Sequence, residues 1–132
     1  MCGAPANPCA NGCTSTTAPQ PFVNVWGSGK PVREWMHVDD GAESMIRSIE
    51  MPATEDFVNI GIGQGISVIE MCELIKEITG YRGEIKLDPT KPDGAAYKTV
   101  DGTRGEQLLG WKPSVPFREG VAQAIRWYEE NH

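Results

Sequence analysis

The sequence of 132 residues is long enough for one domain and too short for two. Hydrophobic residues make up 39% and charged residues 23%, which is typical of a globular protein and excludes a disordered chain. The net charge of -6 argues against sequence-independent nucleic-acid binding, because such binding depends on lysine and arginine contacts to phosphate. The sequence shows neither a long apolar run nor a secretory signal, and we therefore expect a cytoplasmic protein.

Residues 1–21 differ in composition from the rest, being rich in Ala, Pro, Asn, Gly, Cys and Thr. Three of the four cysteines, Cys2, Cys9 and Cys13, lie there without forming a C-x-x-C pair. A zinc site requires four ligands at tighter spacing, so we interpret these cysteines as free thiols and predict no metal. A zinc site or a disulfide framework is the alternative. The segment has too few apolar side chains to bury, and we predict a flexible tail followed by a domain over residues 22–132.

Short strands and amphipathic helices are predicted from residue 22 onward. A first strand is expected at Phe22–Trp26 and a second extended segment at Arg33–Val38. Either Asp39 or Asp40 is expected to cap a helix that runs to about residue 51. The apolar positions of that helix recur at helical spacing and comprise Ala42, Met45, Ile46 and Ile49.

The second half of the sequence follows the same pattern. A third strand is predicted at residues 57–60, a fourth at 84–87, and a helix after the capping box formed by Ser67 and Glu70. Cys72 lies on the apolar stripe of that helix. A short helix is expected at 103–109 and a last one at 117–130, with Trp111 and Trp127 in the core. These elements predict a small α/β or α+β domain.

The glycines at 61, 63 and 65 follow a predicted strand and precede a helix, as the glycines of a dinucleotide-binding loop do. Their spacing differs from G-x-G-x-x-G, and no ribose-binding acid follows at the expected place. We interpret the run as a turn, with a phosphate-binding loop as the alternative.

Four motifs resemble those of nucleotide-sugar enzymes among the extended short-chain dehydrogenases. W-G-S-G-K-P-V-R-E-W-M-H-V-D-D over 26–40 is similar to their W-G-x-G-x-P-x-R-E-[FW]-x-[HY]-V-x-D segment, and N-I-G-I-G over 59–63 to their N-[IV]-G-x-G turn. K-P-D-G over 91–94 resembles the S-K-P-D-G loop of GDP-L-fucose synthases. L-G-W-K-P over 109–113, with the last helix, resembles their C-terminal ending. The resemblance implies the C-terminal substrate-binding part of that family.

The residues that carry out the family's chemistry have no counterpart in this sequence. The resemblance places the NADP-binding Rossmann domain, the catalytic Ser/Thr and the Tyr-x-x-x-Lys pair in an N-terminal domain. Tyr81 and Tyr97 lack a lysine four residues on, and His37 does not match the family's catalytic histidine. We therefore predict no catalytic residues and no cofactor in this chain, although the full-length family uses NADP.

The resemblance implies substrate-binding roles for three residues. Arg33 matches an arginine that contacts the diphosphate of the nucleotide sugar, and Lys91 matches a lysine that reaches the same group. Trp26 matches a tryptophan at the edge of the pocket, where a flat apolar face suits a base or a sugar. The family often has P-R-K after K-P-D-G, whereas this chain has Tyr97 in place of the arginine.

We therefore expect a truncated homologue of GDP-L-fucose synthase that retains the GDP-sugar half-site and is not catalytically competent alone. The alternatives are a non-enzymatic nucleotide-sugar-binding or assembly module, and a decayed fragment without a ligand. GDP or a GDP-sugar is expected to bind weakly. Apolar surface near Trp26, Trp35 and Met36 is expected to cause dimerisation or to bind a partner that supplies the Rossmann domain.

Overall fold

The computed structural model describes residues 21–51 and 57–132, which form four helices and five short strands. In chain order these elements are β1 (Phe22–Trp26), β2 (Val32–Arg33), α1 (Val38–Ser48), β3 (Ile66–Ser67), α2 (Val68–Thr79), β4 (Glu84–Asp88), β5 (Tyr97–Lys98), α3 (Thr103–Leu109) and α4 (Phe117–Asn131). Residues 1–20, with Cys2, Cys9 and Cys13, lie outside the described part, so the prediction of a flexible tail stays a prediction. No helix of the described residues is long and apolar enough to cross a membrane.

The strands form two small sheets. In the first, β1 pairs in parallel with β4, so that Phe22 is opposite Glu84 and Trp26 is opposite Asp88. In the second, β2 is central, antiparallel to β3 and parallel to β5. Because parallel strands run in the same direction, the segments that leave β1 and β4 emerge at the same edge. This topology brings the W-G-S-G and K-P-D-G segments together.

The helix α2 begins and ends where its sequence signals predict. The Ser67 hydroxyl accepts a hydrogen bond from the Glu70 N–H, and the Glu70 carboxylate accepts one from the Ser67 N–H at 2.7 Å. Gly80 ends the helix in the left-handed conformation at φ 65°. The guanidinium of Arg118, in α4, donates two hydrogen bonds to the carboxylate of Glu77, in α2, at 2.8 and 2.9 Å. This ion pair joins the two helices.

The start of α1 differs from the prediction. The N-cap is His37, whose Nδ1 accepts a hydrogen bond from the Asp39 N–H at 3.4 Å, and the preceding strand is limited to Val32–Arg33. Asp40 is buried and does not cap the helix. Its carboxylate instead accepts hydrogen bonds from the N–H groups of Ser114 and Val115, both at 3.0 Å. The prediction of an Asp39 or Asp40 cap was therefore wrong, because a tertiary partner engages the Asp40 carboxylate.

Two further predictions were wrong. Residues 57–60 do not form a strand, and the side chain of Trp127 is 61% exposed instead of lying in a core. Trp111 is half-buried. Among the described residues, Leu109 is the only large hydrophobic residue that is buried. The described part of the chain thus has well-formed helices but very little core of its own.

Candidate functional site

The loops that follow β1 and β4 are joined by side-chain hydrogen bonds. The Asp93 carboxylate accepts one from the Ser28 N–H at 2.5 Å and another from the Ser28 hydroxyl at 2.7 Å. The close approach needs glycine at position 27, which has a φ of 83° and lies against Asp93. Hydrogen bonds from Ser28 lower the pKa of Asp93, so the carboxylate is charged at neutral pH. This Asp93–Ser28 contact positions the K-P-D-G loop.

Lys91 and Trp26 meet at the same edge. The Lys91 ammonium lies 5.5 Å from the ring centroid of Trp26, within range of a cation–π interaction. The turn before Lys91 is held by Asp88, whose carbonyl accepts from the Lys91 N–H at 3.2 Å and whose carboxylate accepts from the Thr90 N–H at 3.1 Å. Trp26 is 65% exposed, so one aromatic face and one cation are available to a ligand at this edge.

Arg33 lies on β2 and approaches the last residue of the K-P-D-G loop, Gly94. Its Nη1 donates a hydrogen bond to the carbonyl oxygen of Val32 at 2.7 Å. Its Nη2 is close enough to Gly94 that a Cβ at position 94 would lie 3.7 Å from it. Lys98, on β5, is the register partner of Arg33. Adjacent residues of neighbouring parallel strands share a face of the sheet, so Lys98 and Arg33 lie side by side on one face.

The side chain of Glu34 binds the backbone N–H groups of the glycine-rich turn at residues 61–65. Its carboxylate accepts hydrogen bonds from the N–H groups of Ile62 and Gly63, the latter at 3.4 Å. The second oxygen accepts from the Val100 N–H at 2.9 Å. An internal carboxylate therefore accepts the hydrogen bonds that a dinucleotide-binding loop would donate to a phosphate, and the backbone bends at Gly63, whose φ is 67°.

Sequence reasoning missed the roles of Glu34, Asp93 and Lys98. Glu34 and Asp93 lie inside the motifs that carried the resemblance, directly beside Arg33 and two residues after Lys91. Their hydrogen bonds span 28 and 65 residues of sequence, so no local pattern indicates the partners. Lys98 lies just beyond K-P-D-G, and only the register of β2 with β5 puts it beside Arg33.

A wide, open groove of about 470 Å³ lies elsewhere, on the surface of α2. Its lining residues are Ile69, Glu70, Glu73, Leu74 and Glu77. Three carboxylates would repel a diphosphate, and none of Trp26, Arg33 or Lys91 lines this groove. The edge formed by the K-P-D-G loop is therefore the better candidate for an anionic ligand.

The comparison with known families agrees with the motifs. The sequence profile of the family described as GDP-mannose 4,6 dehydratase matches residues 10–124. The chain belongs to this family. It is 40% identical over 109 residues to probable GDP-L-fucose synthase 1 of Oryza sativa subsp. japonica, a match that covers 83% of this chain and 33% of the relative.

Solved structures confirm the predicted fold. UDP-glucose 4-epimerase of Thermotoga maritima, solved with UDP-glucose, superposes with a TM-score of 0.77 at 31% identity, over 83% of this chain and 35% of that one. A GDP-L-fucose synthetase of Naegleria fowleri bound to NADP superposes with a TM-score of 0.76 at 23% identity, which is evidence of fold alone. This member of the GDP-mannose 4,6-dehydratase family thus spans about a third of the length of the relatives it matches.

Proposed function

We propose that this chain supplies the GDP-sugar half-site of a GDP-L-fucose synthase-like enzyme and has no catalytic activity alone. The observation that carries the proposal is the convergence on one loop: Lys91 lies over Trp26, while Arg33 lies beside Gly94 three residues further on. A diphosphate needs cations that approach from different segments. Arg33 comes from β2 and Lys91 from the K-P-D-G loop, and Lys98 on β5 lies beside Arg33.

Each side chain suits a different part of a nucleotide sugar. The guanidinium of Arg33 can hold two phosphate oxygens at once, whereas the ammonium groups of Lys91 and Lys98 act as point charges. The exposed face of Trp26 suits a base or a sugar ring. The T. maritima neighbour was solved with UDP-glucose, also a nucleoside diphosphate sugar, which supports this ligand class.

The proposed lack of catalytic activity rests on how little of the relatives' length this chain matches. The chain matches only a third of its relatives' length, and the catalytic motifs of the family have no counterpart in its sequence. NADP, which the N. fowleri neighbour binds, would be held by the part that this chain does not span. We therefore expect ligand binding without turnover.

A calorimetric titration with GDP and GDP-mannose tests the binding site. Because half a site provides fewer contacts and less preorganisation, we expect a dissociation constant in the micromolar to millimolar range, on the order of -8 to -4 kcal/mol. Arg33→Ala should abolish measurable binding, and Arg33→Lys should keep only part of it. Arg47→Ala is the matched control, because Arg47 lies on α1, where it pairs with Glu43 at 2.7 Å.

Three results would contradict the proposal in different ways. Equal GDP affinity in the wild type and Arg33→Ala would show that Arg33 does not hold the diphosphate. No heat from any GDP compound would favour the alternative of a decayed fragment without a ligand. GDP binding combined with no NADPH oxidation after addition of a complementary Rossmann-domain chain would favour a non-enzymatic binding module.

A further inference from the structure

Within the part of the chain that the structure describes, the strand β1 has an open edge. It pairs with β4 on one side, and no further strand of the described residues joins this sheet. The carbonyl of Pro21 and the N–H of Gly27 form hydrogen bonds to β4, at 2.9 and 2.8 Å. Backbone groups of alternate residues in a strand point to opposite sides, so those of Phe22, Asn24 and Trp26 point away from β4. We call the outward backbone groups of these three residues the β1 edge.

The two edges of this sheet differ in how they are protected against pairing. The sequence of β4, E-I-K-L-D, has three charged side chains, and Pro89 follows it. Charge and proline are means by which natural edge strands avoid pairing with other chains. The sequence of β1, F-V-N-V-W, has neither, and Phe22, Val23 and Trp26 are 39%, 47% and 65% exposed. The β1 edge is therefore the one that is suited to accept another strand.

The sequence of β1 is nearly palindromic about Asn24. Val23 and Val25 flank this residue, and the aromatic residues Phe22 and Trp26 stand at the ends. Antiparallel pairing reverses one strand, so a palindromic strand meets identical or similar side chains on a second copy of itself. An unrelated peptide lacks this match unless its own sequence provides it. The self-matching sequence therefore favours a second copy of the chain as the occupant of the β1 edge.

We propose that the β1 edges of two copies pair in antiparallel fashion about a twofold axis at Asn24. In this register Asn24 lies opposite Asn24 of the second copy, and Phe22 lies opposite Trp26. All three residues of the β1 edge are then hydrogen-bonded, because each meets a residue whose backbone groups also point outward. Aromatic residues directly opposite each other form a favourable cross-strand pair. A twofold interface of this kind closes on itself and yields a dimer with a sheet of four strands.

The dimer would border the candidate site. The ring centroid of Trp26 lies 5.5 Å from the Lys91 ammonium of its own copy, and the register places Phe22 of the second copy next to the same ring. The pairing itself uses backbone groups and needs no nucleotide. The outcome of its test is therefore independent of the proposed GDP-sugar site.

Light scattering of the whole 132-residue chain without nucleotide, at several concentrations, tests the proposal. We expect the mass to rise with concentration from 14.4 kDa towards twice that value. Asn24→Asp should raise the dissociation constant of the dimer about tenfold or more, because two carboxylates would oppose each other at the twofold axis. Within one copy, position 24 lies opposite Lys86, so the new charge is compatible with the fold.

Two further variants serve as controls. Asn24→Thr should keep the dimer, because threonine is uncharged and favours strands. Asn131→Asp makes the same chemical change at the exposed end of α4 and should leave the dissociation constant unchanged. Circular dichroism should show the wild-type signal for all three variants.

Amide hydrogen exchange of the wild type gives an independent measurement. The amides of Asn24 and Trp26 should exchange more slowly at concentrations where the dimer forms, whereas those of Ile85 and Leu87 on the outer edge of β4 should not change. A mass of 14.4 kDa at every concentration would overturn the proposal. So would a dimer that Asn24→Asp weakens no more than Asn131→Asp does, or slower exchange at β4 instead of β1.

Discussion

The carboxylate of Asp93 accepts hydrogen bonds from both the N–H and the hydroxyl of Ser28, at 2.5 and 2.7 Å. This contact connects the loop after β1 to the loop after β4, and Lys91 lies two residues before Asp93. The two segments therefore hold the lysine and Trp26 in one arrangement before a ligand arrives. Preorganisation of this kind reduces the entropy lost on binding.

Asp93→Ala should weaken GDP binding about three- to tenfold, since loss of the Ser28 contact releases the K-P-D-G loop and the ligand must then order it. Calorimetry measures the change. Asp101→Ala is the control, because the Asp101 carboxylate accepts a local hydrogen bond from the Thr103 N–H at 2.9 Å. An equal loss of GDP affinity in both variants would show that the Asp93–Ser28 contact does not order the K-P-D-G loop for binding.

Asp40→Ala should lower the free energy of unfolding by about 1–3 kcal/mol, because the N–H groups of Ser114 and Val115 lose their acceptor. Denaturant unfolding followed by circular dichroism measures the difference. Asp39→Ala is the control: its side chain is 81% exposed, and we expect a smaller effect. Equal destabilisation by the two substitutions would contradict an anchoring role for Asp40.

The contribution of Asp40 should also depend on pH. Burial opposes its ionisation, but hydrogen bonds from Ser114 and Val115 outweigh burial and lower the pKa below the ordinary value of 3.8. A carboxyl whose pKa is lower in the folded state stabilises the fold above the unfolded pKa. That stability is lost as the pH falls through the folded pKa. The difference in stability between wild type and Asp40→Asn should therefore shrink as the pH falls below about 4.

Gly29→Ala should destabilise the chain by about 2–4 kcal/mol, through both backbone strain and crowding. The φ of Gly29 is 73°, and an added Cβ would lie 3.0 Å from the Cβ of Ile69. Gly80→Ala separates the two causes, because Gly80 has a φ of 65° but nothing within 4 Å of a new Cβ. Thermal unfolding should show the larger loss in Gly29→Ala, and equal losses would exclude the steric contribution.

GDP should quench the fluorescence of Trp26, whose ring is 65% exposed beside Lys91. The quenching should disappear in Trp26→Phe and persist in Trp127→Phe, since Trp127 lies on α4. NADPH should cause no saturable quenching, because the N–H groups of the glycine-rich turn already bind Glu34. Saturable quenching by NADPH would show that a dinucleotide site exists in this chain.

Local signals in the sequence were sufficient to predict several helices and strands and to identify the family. The capping box of Ser67 and Glu70 and the left-handed Gly80 determine α2 because their hydrogen bonds close within one helical turn. The strand at β1 and the helices α3 and α4 also began at the predicted residues. The four motifs indicated the family by residue identity and order alone.

Only the tertiary structure decided what surrounds these elements. Helical periodicity identified the apolar stripe of α1 but not which side faces inward, because Asp40 bonds to Ser114, 74 residues away. Periodicity likewise placed Trp127 in a core that the described residues do not form. The neighbours of Arg33 depend on the parallel register of β2 with β5 and on the position of Gly94. Such contacts join segments whose separation in the chain carries no local signal, so they are defined only when the strands pair and the loops meet.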